Sequence, residues 1–372
     1  MSASSHIIVL ACLLSCLCAI PGVFLLLRRL SMLSDAISHS ILLGIVGLFF
    51  VIKNLHSPLF IFSAAMMGLV SVLFIEALVK SKRVKKDSAI GLVFPFFFAL
   101  AIVLINIFTS KVHLDIDAVL MGEIAFAPFN RFILMGMDMG PIATWSVSIL
   151  LGLTLFLTIL FYKELIISTF DSRLAYILGF SPLWIHYVFM GMVSLTTVVA
   201  FDAVGAILVL TLMIAPASSA YLLVRSFSKL LILSLIFACF SSLSGYFLAS
   251  FLNVSIAGSI ASMSGILFFL VFLFSPQEGL IKTILNKRSQ KIRYAASLLT
   301  IQLLHHLNEK NTPLEHSIQH LNLHMGFSKN FSKKVLLYTL EQHWVTCNNS
   351  HLTLTALGKE TAIMSMQTHR PF

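Results

Sequence analysis

Nine stretches of about twenty apolar residues recur along the first three quarters of this 372-residue chain, and they fix its class. A hydrocarbon core about 30 Å thick is crossed by roughly 20 residues of helix. The stretches 7–27, 34–52, 58–79, 89–109, 142–162, 183–201, 203–223, 230–249 and 254–274 each come close to that length. Within a bilayer the backbone has no water to bond, so a span is a helix or part of a closed barrel, and continuous apolar runs of this length select the helix. Composition agrees. Charged residues make up 11% of the chain, against about 25% in a soluble domain. The expected fold class is an all-α polytopic membrane protein with about nine transmembrane helices; a weak break near 201–203 admits eight to ten. The stretch 112–141, rich in Gly, Met and acidic residues, reads as a loop, a re-entrant segment or a broken helix.

Loop charge orients the bundle. Alternate loops carry Arg28 and Arg29; Lys80, Lys82, Arg83, Lys85 and Lys86; Lys163 and Arg173; Arg225 and Lys229. The opposite loops carry only Lys53, Lys111 and Arg131. Lys and Arg accumulate on the cytoplasmic side, so the first set is expected inside, the N-terminus outside and the C-terminal part inside. Met1–His6 holds no Lys or Arg, so the first apolar run lacks the positive start of a signal peptide and reads as a retained helix. The five cysteines (Cys12, Cys16, Cys18, Cys239 and Cys347) match neither a disulfide framework nor a zinc-site spacing.

Composition changes after Ser275-Pro276. The expected organisation is a membrane domain over residues 1–278, a basic juxtamembrane linker over 279–292 and a small cytoplasmic α+β domain over 293–372. Within the last part, Thr312-Pro313 opens one helix, Ser328 to Gln342 forms another, Trp344 to Thr355 reads as a hairpin, and Thr355-Ala-Leu-Gly-Lys-Glu opens a final helix. This is winged-helix order, and the phrase Leu-Thr-Leu-Thr-Ala-Leu-Gly-Lys resembles the N-terminal module of iron-dependent repressors. Lys329, Lys333 and Lys334 near the start of the second helix suit phosphate or base contact in a DNA groove. Winged helices also serve as protein-docking modules, so both roles stay open.

Ionisable groups at membrane depth are costly and therefore mark function. Asp35 and His39 stand four residues apart, on one helix face. A carboxylate and an imidazole so placed can hold a borderline divalent ion such as Mn, Zn or Fe, and two ligands leave a site weak enough for a passing ion to leave. The other reading gives Asp35 a helix-dipole role and His39 a bond to a neighbouring helix. Asp202 lies between two runs and suits a cap. His113, Asp115 and Asp117 form an acidic outer cluster, and Glu76 and Glu123 carry no pattern of their own. The stretch from Lys163 to Pro182 is amphipathic and ends in Gly179 and Pro182. It reads as a short surface helix that lies on lipid or docks into a partner's groove.

Four segments together resemble the permease subunit of the ATP-binding-cassette importers for zinc, manganese and iron. They are Arg28 to His39; Ser88 to Leu104; Lys163 to Gly179, with its Lys-Glu-Leu, Phe-Asp, Ala and Gly; and Ala203 to Leu223, with Val-Gly and a central Pro-Ala. The resemblance covers about residues 6–275. It departs at Leu43, where the family commonly has Pro before the Gly. The resemblance implies that Asp35 and His39 contact metal in the translocation path. It implies that Lys163, Glu164, Phe170, Asp171, Ala175 and Gly179 belong to the segment that docks on a cytoplasmic ATPase. It further implies a bacterial inner-membrane location, an extracytoplasmic metal-binding protein and a second permease chain as partners, and no permanently bound cofactor beyond the transported metal. No Gly-x-x-x-x-Gly-Lys-Ser/Thr motif occurs, so the chain does not supply a motor of that kind. The expected function is a transport subunit rather than an enzyme. A membrane-anchored, metal-responsive transcription regulator acting through the winged helix is the alternative.

Overall fold

Nine helices among the described residues are long and apolar enough to cross a membrane. The structure is a computed structural model that describes residues 3–52, 59–108, 124–134, 137–276, 279–308, 328–348 and 351–368. It separates into two compact units, Met1–Gln277 and Glu278–Phe372.

The first unit begins with α1 (Ala3–Leu27), α2 (Leu33–Ile52), α3 (Leu59–Lys80) and α4 (Lys86–Phe108). A 3-10 turn at Ile124–Phe129 leads into a short hairpin, β1 (Arg131–Leu134) and β2 (Met137–Pro141), paired from Arg131↔Pro141 inward. The described part of the ambiguous 112–141 stretch is thus a turn and a hairpin. Then come α5 (Ile142–Leu160), the short helices α6 (Tyr162–Phe170) and α7 (Ser172–Ile177), and the spans α8 (Pro182–Val204), α9 (Ala206–Leu223), α10 (Phe227–Leu252) and α11 (Ile256–Phe274). Gly205 alone separates α8 from α9, at φ +80°, a left-handed value that L side chains avoid. Asp202, expected as a cap between these spans, lies instead in the last turn of α8, and Gly205 stands at the α9 N-cap.

Helices α2, α3 and α4 pack together on one side, and α1, α9, α10 and α11 on the other, with α8 touching both groups. Accordingly α1 and α8 are each 72% buried across their apolar stretch, whereas α11 is 17% buried and faces outward. Lipid tails are as apolar as Leu, so spans associate through close packing and hydrogen bonds, and small residues let backbones approach. At Gly22 a Cβ would fall 2.0 Å from the Met213 carbonyl oxygen, joining α1 to α9. At Gly68 it would fall 2.1 Å from Ser194 Oγ, joining α3 to α8.

Contacts between span ends test the alternation of loops. Arg28 after α1 bonds to Ser168 and Thr169 after α5 and to His186 at the start of α8. Tyr162 meets Ser228 at the start of α10 at 2.8 Å, and the Ser275 hydroxyl after α11 donates to the Leu222 carbonyl near the end of α9 at 2.6 Å. These positions all belong to the side that carries the basic loops.

The second unit holds α12 (Leu280–Asn308), α13 (Lys329–Glu341), the hairpin β3 (Val345–Asn348) and β4 (His351–Leu354), and α14 (Ala356–Thr368). The segment 279–292, set apart in the sequence as a linker, is helical from Leu280 onward. Ala296, Leu299, Leu303, Val335, Val345 and Leu352 form a core separate from that of the spans. The strands pair in register from Val345↔Leu354 to Asn348↔His351. Thr355 Oγ1 accepts the Gly358 N–H at 3.0 Å and so opens α14. The helix expected from Thr312 lies outside the described residues.

Candidate metal site and docking segment

Asp35 sits in the first turn of α2, where the helix dipole favours a carboxylate, and His39 follows one turn later. His39 Nε2 lies 3.3 Å from Asp35 Oδ1. Side-chain exposures of 30% for His39 and 40% for Asp35 leave both partly accessible. The imidazole is held by α4, stacked on Phe94 at 5.4 Å and edge-on to Phe98 at 5.6 Å. The neighbouring hydroxyls point elsewhere: Ser34, Ser38 and Ser40 each donate to a carbonyl of their own chain segment, at 2.9–3.0 Å.

The spacing of the pair suits one cation. Metal–nitrogen and metal–oxygen bonds of about 2.0–2.2 Å, at angles between square and tetrahedral, set the two donor atoms about 3.0–3.4 Å apart. Among the described residues no group of three or more His, Cys, Asp or Glu side chains gathers around a common point. Among the described residues the pair thus stands without a third His, Cys, Asp or Glu gathered beside it.

A second polar constellation lies at the basic-loop end, joining the α1–α2 turn to α3, α6 and α8. Arg28 Nε donates to Thr169 Oγ1 at 3.0 Å, Nη2 to Ser168 Oγ at 3.1 Å, and Nη1 reaches His186 Nδ1 at 3.3 Å. The guanidinium also lies 4.6 Å from the centre of the Phe189 ring. Burial pushes Arg28 down to about 10, so it remains cationic at neutral pH. His186 Nε2 pairs with Glu76 Oε1, and the Tyr187 hydroxyl donates to Glu76 Oε2 at 3.0 Å. A cavity of about 190 Å³ opens beside Glu76 and His186, between the α1–α2 turn and α3, with Lys80 and Lys86 on its wall. Sequence reasoning noted Glu76 but not its partner. A glutamate four residues inside the end of a span was the available signal.

The segment expected to dock on an ATPase is two short helices rather than one. Asp171 ends α6 and caps α7, its Oδ1 accepting the N–H groups of Arg173 at 2.9 Å and Leu174 at 3.0 Å. Ala175 is fully buried, and Gly179 closes α7 at φ +86°, where the absence of a Cβ is needed. Phe170, Tyr176 and Ile177 project outward, 64%, 76% and 78% exposed. Lys163 and Glu164 lie in the first turn of α6.

Elsewhere, Lys333 and Lys334 are exposed on α13, and Lys329 begins that helix. Cys16 and Cys239 bring α1 and α10 together with sulfurs 3.3 Å apart, and all five cysteines are free. His113, Asp115, Asp117 and Glu123 lie outside the described residues.

Residues 3–275 match the ABC 3 transport family. The zinc transport system membrane protein TroD of Treponema pallidum (strain Nichols) is 42% identical over 357 residues, covering 96% of this chain and 97% of the relative. The manganese transport system membrane protein MntD of Bacillus subtilis (strain 168) is 45% identical over 281 residues, covering 76% and 95%. The structure of PsaBC from Streptococcus pneumoniae in complex with Fab superimposes with a TM-score of 0.63 at 27% identity, over 76% of this chain and 95% of that one.

Proposed function

The chain belongs to the ABC 3 transport family, and on that premise we propose that Asp35 and His39 are where the transported ion touches it. The protein is a membrane permease, the transmembrane subunit of an ATP-binding-cassette importer for a divalent transition metal. It is a transport component and not itself an enzyme. Relatives named for zinc, manganese and iron bound the cargo to that group of ions.

The observation that supports the site is the 3.3 Å separation of an imidazole nitrogen and a carboxylate oxygen one turn apart on α2. The ion takes the Nε2 lone pair of the neutral His39 imidazole, in the tautomer with its proton on Nδ1, and is shared with Asp35 Oδ1. Both donors are weak enough as a pair to release it. The exposed side of the pair faces a second permease chain, which closes the path. An extracytoplasmic binding protein delivers the ion, and a cytoplasmic ATPase docks on α6 and α7, where Phe170 is exposed and Asp171 and Gly179 fix the bend. The basic-loop side is cytoplasmic, as is the second unit.

Asp35→Ala and His39→Ala, assayed for metal uptake at limiting Mn, Zn and Fe with matched expression, test the site. Uptake unchanged in both variants would remove the pair from the path. The relatives' names favour transport over a membrane-anchored regulator. Within a permease, a winged-helix role for the second unit would rest on exposed Lys333 and Lys334 and on Lys329. Gel-shift binding that weakens steeply with salt in the wild type, and is lost when all three are Ala, would support it.

A further inference from the structure

The polar constellation around Arg28 is not used by the ion site, yet it ties together several elements at the membrane unit's basic-loop end. Burying a guanidinium is costly unless its donors are matched. Here its three nitrogens reach three partners on two other elements: Ser168 and Thr169 on α6, and His186 on α8. Arginine can only donate, so His186 Nδ1 is the acceptor. The imidazole proton is then on Nε2 and is donated to Glu76 of α3. A neutral ring thus stands between one cation and one anion, and Tyr187 satisfies the second carboxylate oxygen.

The two ends of this chain of bonds are informative. Ser168 and Thr169 immediately precede Phe170 and Asp171 of the docking face. Arg28 lies in the tight α1–α2 turn, closed by Arg29 N–H to Leu26 O at 3.0 Å and Leu30 N–H to Leu25 O at 2.8 Å. Arg29 there adopts φ +55°. That turn leads directly into the α2 turn bearing Asp35. A set of directional bonds between charged and polar groups fixes the relative placement of its members, so that they move together.

We propose that Arg28, His186 and Glu76 are positioning residues that carry the movement of the ATPase-docking segment to α2, α3 and α8, and so couple ATP hydrolysis to ion release. The proposal rests on the reading of α6 and α7 as the docking face. Arg28 pulls on the α1–α2 turn, and through His186 and Glu76 the same pull reaches α8 and α3. These residues do not touch the ion.

The test uses the full chain assembled with its ATPase and delivery protein in proteoliposomes, and measures Mn²⁺ moved per ATP hydrolysed. Arg28→Lys keeps the charge but loses the three-nitrogen fork. Ser168→Ala combined with Thr169→Val removes the α6 end and serves if Arg28→Lys does not assemble. The expected result is uncoupling: the metal-to-ATP ratio falls about fivefold or more, while ATP hydrolysis stays within about twofold and half-saturation by Mn²⁺ is unchanged. A wild-type ratio in the assembled variants overturns the proposal, as does a proportional fall in both rates. Phe170→Ala separates the two readings. If it leaves the ATPase bound as tightly as in the wild type, the docking face itself is misassigned and the link falls with it.

Discussion

Asp35 and His39 show how much a single carboxylate and a single imidazole are asked to do. In the proposed site the pair supplies two ligands, so losing either halves that donor set. Disturbing even a ligand's outer partners typically costs about 10–100-fold in metal affinity, so removal of a ligand is expected to raise half-saturation for Mn²⁺ or Zn²⁺ uptake by about tenfold or more. Asp35→Asn preserves shape and removes charge; it is expected to behave like Asp35→Ala, because a neutral amide does not balance the cation. Radiolabelled uptake across a concentration series checks this, and a change in maximal rate with half-saturation untouched would speak against contact with the ion. Asp171 supports a different prediction. Its side chain accepts two N–H groups of α7, and loss of such a cap costs about 1 kcal/mol. In Asp171→Ala, α7 is expected to fray and the ATPase to bind more weakly, as read by co-purification.

At the scale of helices, the close contacts between spans are the exacting feature. Gly68 has no room for a methyl group while Ser194 Oγ is present, the gap being 2.1 Å. Gly68→Ala is therefore expected to cost about 1–3 kcal/mol, the usual range for overpacking, read as a lower melting temperature in detergent. Ser194→Ala removes the clashing oxygen and also its bond to the Ala65 carbonyl. The double variant is expected to be more stable than Gly68→Ala alone, a non-additivity that only direct contact produces. Spans of this kind are legible in a sequence because a bilayer sets one length for all of them. The Asp35–His39 pairing was legible too, since helical periodicity alone brings residues four apart together. The Arg28–His186 and Glu76–His186 contacts join residues 158 and 110 positions apart, and no local pattern announces them. The stretch 112–141 was ambiguous for a related reason. It has neither the unbroken apolar run of a span nor a strand's alternation, and its described part forms a 3-10 turn and the irregular β1–β2 hairpin, whose register shifts between Arg131 and Ile133.

For the molecule as a whole, the question is what transport requires of the second unit. Its core is its own: Ala296, Leu299, Val335, Val345 and Leu352 pack among themselves, and the chain divides between Gln277 and Glu278. The match to the Treponema protein extends over 357 residues and so into this unit, while the match to the Bacillus protein, at 281 residues, is about the length of the membrane unit and covers 95% of that relative. A chain that is nearly complete without such a unit still carries the name of a transport system membrane protein. The partners described for the Asp35–His39 pair and for Arg28 belong to the first unit. Deleting residues 278–372 is thus expected to leave metal uptake within about twofold of the full chain, roughly 0.4 kcal/mol on the barrier. Uptake by cells expressing equal membrane levels of the two forms checks it. Uptake lost on deletion, with the truncated bundle correctly inserted and its ATPase bound, would make the second unit part of the transport machinery and require a contact from it to the spans or the motor.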